Sequence, residues 1–201
     1  MGMTELVTLL KGTVREPPRL VQGGVLLQRQ PDVAPRAYVH RVFNPVPLCL
    51  ARTLPFTGSA WKRHADGLLR DMNGCRLFGG AFVLTGVCSS IIDTEADLGQ
   101  PIDVRYGNLW DRPRLMVTED CVIGFEVGSS KTLPIILSGN DFSPSLYDPS
   151  GRYMTCRWGS VDEMLKSEVI RMQSIFDESG HLRDSDQPTL PPEALTWDTA
   201  D

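Results

Sequence analysis

Apolar residues recur at helical spacing in two stretches of the chain. Trp61, Ala65, Leu68 and Met72 follow one another at intervals of four, three and four, which predicts one face of a helix over 59–72. Lys62, Arg63, His64, Asp66 and Arg70 fall on its polar side. Ser59 is placed to cap its start, and Asn73-Gly74 stops it because both residues tolerate left-handed backbone. Gly67 within the pattern weakens it. The second stretch is the stronger: Val161, Leu165, Val169, Met172 and Phe176 form a stripe over 161–176. Ser160 and Glu163 open it as a capping box, and Gly180 lies beyond its end.

Between and before these helices the pattern turns strand-like. Residues 25–28 and 38–43 read as strands separated by a turn region from Pro31 to Pro35, after which Pro45 and Pro47 break regular structure. Residues 81–87 form a strand entered through Gly79-Gly80, which permits a bend. Further strands are expected at 115–118, 121–127 and 133–137, with Pro134 marking an edge strand or a bulge. A hairpin joins 145–148 to 153–158 through Pro149-Ser150-Gly151. Such short spacing favours antiparallel pairing, since parallel strands need long crossovers. The expectation is an α+β fold, a central and mostly antiparallel β-sheet flanked by helices. One domain over 1–183 accounts for these elements. Residues 1–24 show no clear period, and 184–201 form an acidic, Pro-rich tail with Trp197.

Composition narrows the class. With 41% hydrophobic and 22% charged residues, the chain reads as a soluble globular protein. It has no apolar run of membrane-span length and no secretory leader pattern, so the expected location is cytoplasmic, without a membrane partner. The five cysteines are odd in number and contain no CxxC pair, which favours reduced, buried thiols over disulfides or zinc. The net charge of −5 is unevenly spread. Residues 1–75 hold 10 Lys+Arg against 5 Asp+Glu, and 76–201 hold 10 against 20. Nucleic-acid binding is disfavoured unless the N-terminal cations cluster in space, whereas an acidic surface suits a basic protein partner.

The candidate chemistry is sparse. Gly128-Ser129-Ser130-Lys131-Thr132 lacks the Gly before Lys that a phosphate loop needs, and a strand follows rather than a helix. Asp93, Glu95 and Asp97 alternate in the long connection over 88–113, but a calcium hand counted from Asp93 would meet Leu98 and Val104 where Gly and Glu belong. No metal or cofactor is therefore assigned, and the readings left for these carboxylates are an ordinary solvated loop or, with Asp103, a partner-facing acidic loop. His40, His64 and His181 form no metal or catalytic pattern, and no nucleophile elbow is present. His64 and His181 are expected at the surface. Trp61 belongs to the core, Trp158 packs between the last strand and the last helix, and Trp110 either tethers its loop to the core or anchors a partner.

Leu54-Pro55, the Trp61 helix and Asn73-Gly74, then Leu77-Phe78-Gly79-Gly80 and Phe82-Val83-Leu84, resemble the opening of the SUKH superfamily. The finish is similar too: Tyr147 to Gly151, Trp158, then Ser160, Glu163 and Leu165. The resemblance covers about 54–182. It departs at the front, where some fifty residues precede Leu54 as an extension. The family includes cell-wall assembly regulators, bacterial immunity proteins and herpesviral proteins. The resemblance implies an α+β fold and a non-enzymatic role: an immunity protein that occludes a cognate, possibly nuclease, toxin. The alternative is a regulator or scaffold of the same fold, and a third reading is an enzyme whose site is assembled from distant residues. The Asn-Gly and Leu-Phe-Gly-Gly residues transfer as fold determinants only. Under the leading reading, Asp93, Glu95, Asp97, Asp103 and Trp110 are the expected contacts.

Overall fold

Among the described residues, nine strands run in simple succession across a single sheet, each hydrogen-bonded to the next in sequence. The computed structural model describes residues 1–14, 16–28, 39–88, 100–114, 116–128, 131–149, 154–177 and 183. The strands are β1 (Arg19–Val21), β2 (Gly24–Gln28), β3 (Val39–Phe43), β4 (Cys75–Leu77), β5 (Phe82–Leu84), β6 (Cys121–Val127), β7 (Thr132–Leu137), β8 (Pro144–Tyr147) and β9 (Met154–Arg157). Every ladder is antiparallel. The helices are α1 (Met3–Leu10), α2 (Leu48–Arg52), α3 (Ser59–Asp66), α4 (Leu68–Asp71) and α5 (Val161–Ile175). The expected α+β architecture with an antiparallel sheet is thus observed. The strands before Leu54 join the same sheet, because β3 pairs with β4 through Arg41–Arg76 and Val42–Cys75.

Alternation along the strands assigns the two faces. Val25, Leu27, Val42, Cys75, Leu77, Phe82, Leu84, Ile123, Ile135 and Leu146 point to one side. There they share a continuous core with Leu6 and Leu10 of α1, Trp61 and Ala65 of α3, and Leu165, Val169 and Met172 of α5. Trp158 is buried in that core, as its place before the helix predicts. The opposite face carries a smaller cluster of Val122, Phe125 and Ile136, with Met116 and Tyr147 packed against it.

Several expectations need correction. The helix over 59–72 is two helices, divided at Gly67, whose ψ of −89° is not helical. Gly58, not Ser59, occupies the cap position. The Ser59 N–H donates to Glu119 Oε2 at 2.8 Å and its hydroxyl donates to the Gly139 carbonyl at 2.7 Å, tying α3 to the loops around β6. His64 is buried rather than exposed, because α3 buries the broader face Ala60, Trp61, His64 and Ala65. Residues 116–118 are loop, not strand, and Leu115 lies outside the described residues. β7 is interior, not an edge: Pro134 sits opposite Phe125, and the β7–β8 ladder begins one residue later, at Ile135. The bulge falls instead in β6, between Val122 and Gly124.

The turn after α4 follows the sequence reading more closely. Gly74 has φ +81°, and a side chain there would meet the Leu84 carbonyl oxygen at 2.5 Å, so only glycine fits. Asn73 is buried and grips Val87 twice: Oδ1 accepts from its N–H at 2.7 Å and Nδ2 donates to its carbonyl at 2.9 Å. At α5, Ser160 Oγ accepts from the Glu163 N–H at 3.1 Å. The return arm lands one residue early, with Glu163 Oε2 accepting from the Gly159 N–H at 2.9 Å. The Pro31–Pro35 turn region, His181 and the tail lie outside the described residues.

Candidate protein-binding surface

A wide helical turn, Tyr106–Trp110, lies over the second face of the sheet. Its closing bond runs from the Asp111 N–H to the Tyr106 carbonyl at 2.9 Å, five residues back, the π spacing often found at functional positions. Buried Asn108 fixes it in place. Its Nδ2 donates to the carbonyls of Val104 (2.9 Å) and Val122 (2.8 Å), and its Oδ1 accepts from the Val122 N–H at 2.9 Å. That grip falls at the β6 bulge, where the ladder to β7 is interrupted. Gly107 presses on the same strand: an added Cβ would lie 2.6 Å from Val122 and 2.9 Å from Phe125. Tyr106 meets Phe125 edge to face at 6.1 Å.

The consequence is that the remaining side chains of the turn face solvent. Trp110 is 58% exposed, Leu109 and Tyr106 48% each, and nearby Val117 57%. Arg112 holds the Val117 carbonyl through Nη2 at 2.6 Å, closing the loop behind the turn. Beside it opens a cleft of about 240 Å³, lined by Phe56, Trp61, Leu109, Met116, Asp120 and Cys121 among others. Large apolar side chains on a pinned backbone lose little freedom on contact, which is the usual condition for an interface anchor. Trp110 is exposed in the loop between Asn108 and Asp111, with Tyr106 and Leu109 exposed beside it and Asn108 buried beneath. Three large apolar residues within five positions of a loop were the available signal.

The expected acidic contacts fare differently. Asp93, Glu95 and Asp97 lie outside the described residues. Asp103 is buried and committed, so it leaves the contact set. Its Oδ2 accepts from the Cys88 N–H at 2.9 Å, and its two oxygens take Arg105 Nε at 2.7 Å and Nη2 at 2.9 Å. Burial alone would raise the Asp103 carboxyl; the hydrogen bonds from Arg105 and the Cys88 N–H outweigh it and hold the group below its usual range. Gly86 adds a second tie, its N–H donating to Ile102 and its carbonyl accepting from Val104, at 2.9 and 2.8 Å. Together these bonds pin Cys88 and Asp103, on either side of the segment that bears the three other carboxylates.

Among the described residues, the thiols of Cys75, Cys88 and Cys121 and the imidazoles of His40 and His64 are buried, whereas Cys49 is exposed and Cys156 partly so, against the expectation of buried thiols. Cys121 lines the cleft yet is 1% exposed, and burial pushes its thiol up to about 12. Cys75 and Cys88 are likewise raised to about 12, chiefly by burial. Burial lowers His40 to about 3 and His64 to about 4, so both are neutral near pH 7. Under α5, Glu126 of β6 and Glu168 share one cation: Arg171 reaches Glu126 at 2.9 Å and Glu168 at 2.8 Å. Burial, then the neighbouring Glu168, raises Glu126 well above the ordinary carboxylate range, against the pull of Arg171. Among the described residues no group of His, Cys, Asp and Glu is arranged to hold a metal ion. The chain matches no family model, no curated protein and no solved structure in three separate comparisons.

Proposed function

We propose that this chain is a non-enzymatic protein-binding domain that presents the Tyr106–Trp110 turn to a protein partner. The observation behind this reading is the exposed Leu109–Trp110 pair on a backbone fixed by three hydrogen bonds from Asn108. The raised thiols of Cys75, Cys88 and Cys121 and the buried imidazoles of His40 and His64 support a non-catalytic reading of those five residues, since a working nucleophile or base needs a pKa near ambient pH and access to substrate.

The resemblance to the SUKH superfamily supplies the partner class: a basic toxin domain, possibly a nuclease, neutralised in the cytoplasm by occlusion. Asp93, Glu95 and Asp97, which lie outside the described residues, add steering charge toward a basic partner. The regulator reading uses the same surface on an endogenous protein. Among the described residues no helix is long and apolar enough to cross a membrane.

Capture on immobilised protein from source-cell lysate and medium tests the proposal. The immunity reading expects one basic protein, enriched on the native chain and lost on Leu109→Asp/Trp110→Asp, whose activity disappears on mixing. Enrichment that survives the double substitution contradicts the proposed surface. A captured endogenous protein that depends on the same two residues selects the regulator reading.

A further inference from the structure

The cleft beside the Tyr106–Trp110 turn carries two opposite charges. Arg112 and Asp120 both line it, with Phe56, Trp61, Leu109 and Met116 among its apolar walls. The two residues meet at one atom: the Val117 carbonyl oxygen accepts from Arg112 Nη2 at 2.6 Å and from the Asp120 N–H at 3.1 Å. Burial dominates the Cys121 thiol below them, but both charges also reach it, Arg112 lowering its pKa and Asp120 raising it. Among the described residues neither Arg112 nor Asp120 belongs to an ion pair. Asp120 Oδ1 accepts from the Gly139 N–H at 2.8 Å, which leaves its second oxygen for another donor. Arg112 likewise commits only part of its guanidinium fork to Val117.

The cleft is held open by the fold itself. Gly58 packs so closely that a side chain there would meet the carbonyl oxygens of Thr118 at 2.8 Å and Glu119 at 2.9 Å. The Ser59 N–H donates to Glu119 Oε2 at 2.8 Å, and the Ala60 N–H donates to the Glu119 carbonyl at 3.1 Å. These contacts fix the start of α3 against the loop that ends at Asp120. Phe56 meets Trp61 edge to face, with ring centroids 5.0 Å apart, and gives the cleft an aromatic wall. Its volume of about 240 Å³ lies below the range of about 300–1,000 Å³ usual for drug-sized ligands, so its occupant is no larger than an amino acid.

We propose that this cleft binds a free α-amino acid with a large apolar side chain. The ligand carboxylate pairs with the Arg112 fork, its ammonium with the Asp120 carboxylate, and its side chain lies against Phe56 and Trp61. A purely cationic ligand would face Arg112 and a purely anionic one Asp120, whereas a zwitterion answers both charges. Asn108 and Leu109 join the cleft to the exposed turn, so the ligand borders the proposed partner surface. The proposal does not rest on that surface: Arg112 and Asp120 lie outside the turn, and the test needs no protein partner.

Calorimetric titration of the full chain with L-phenylalanine, L-leucine and L-methionine, up to millimolar ligand, is the experiment. The proposal expects saturable one-to-one binding of at least one of them. Acetylating the ligand's ammonium, or amidating its carboxylate, should each weaken Kd at least tenfold. Arg112→Gln and Asp120→Asn should do the same, and Asp120→Asn should bind the free and N-acetylated ligands alike. Arg19→Gln, on the far strand β1, should bind as the native chain does. The two capped ligands are measured on the native chain, so they decide the point even where a variant fails to fold. Absence of saturable binding by all three amino acids overturns the proposal. Capped ligands that bind as tightly as the free one also overturn it, and mark the cleft as a plain apolar pocket.

Discussion

The two faces of the sheet handle charge in opposite ways. On the helix-covered face Arg171 stands between two carboxylates, Glu126 and Glu168, and Glu126 is fully out of solvent. On the open face Arg41 stands opposite another arginine, and the large apolar residues of the Tyr106–Trp110 turn project outward. A buried charge must find its partner within the fold, because desolvation is otherwise uncompensated. An exposed tryptophan faces no such demand, so its arrangement is free to suit something outside the chain. The helix face is thus where stability resides, and the open face is where binding is to be sought.

The largest predicted effect breaks the sealed side. Arg171→Ala leaves two buried carboxylates without their shared cation and should lower unfolding free energy by about 3–5 kcal/mol in urea denaturation. A loss within experimental error would mean that the pair is held neutral and that Arg171 contributes only packing.

A smaller effect comes from His64, whose two ring nitrogens have no hydrogen-bond partner among the described residues. Its folded pKa, about 4, lies below the unfolded value, so the unfolded chain takes up the proton first. Its unfavourable contribution is absent above pH 6.5 and grows as pH falls toward 4. His40, lowered to about 3, acts in the same sense. The raised Glu126 acts in the other, favouring the folded state at low pH and losing that benefit as pH rises through its elevated value. His64→Leu should therefore gain about 2 kcal/mol more at pH 5 than at pH 8 relative to the native chain. Parallel pH–stability curves for the two proteins would contradict the burial of a neutral imidazole.

Most of the sheet was legible in the sequence because its strands carry dense apolar and β-branched runs. β2, β3, β6 and β7 were found nearly to the residue. β1 and β4 were not, since three residues such as Arg19-Leu20-Val21 or Cys75-Arg76-Leu77 give no measurable period. α1 was missed for a similar reason: its burial rests on Leu6 and Leu10 alone. Pro134 misled because proline marks an edge only where its missing N–H would have served a ladder, and the next ladder starts beyond it. His64 misled because a stripe drawn as a line omits the residue beside Trp61 and Ala65 that a full-width face includes. Of the candidate surface, Trp110 was readable from its type and its loop. The buried commitment of Asp103 was not, because the bond to Cys88 depends on a bridge between Gly86 and Asp103, seventeen residues apart.

The smallest effect on stability should accompany the largest effect on binding, and measuring both on one variant tests the contrast between the faces most directly. Trp110→Ala is compared with the native chain in urea denaturation and in affinity for the captured partner. The expected result is unfolding free energy within about 0.5 kcal/mol of native and binding weakened by 2 kcal/mol or more, about thirtyfold in Kd. Native affinity in Trp110→Ala, or a stability loss comparable to that of Arg171→Ala, would contradict the assignment of the open face to binding.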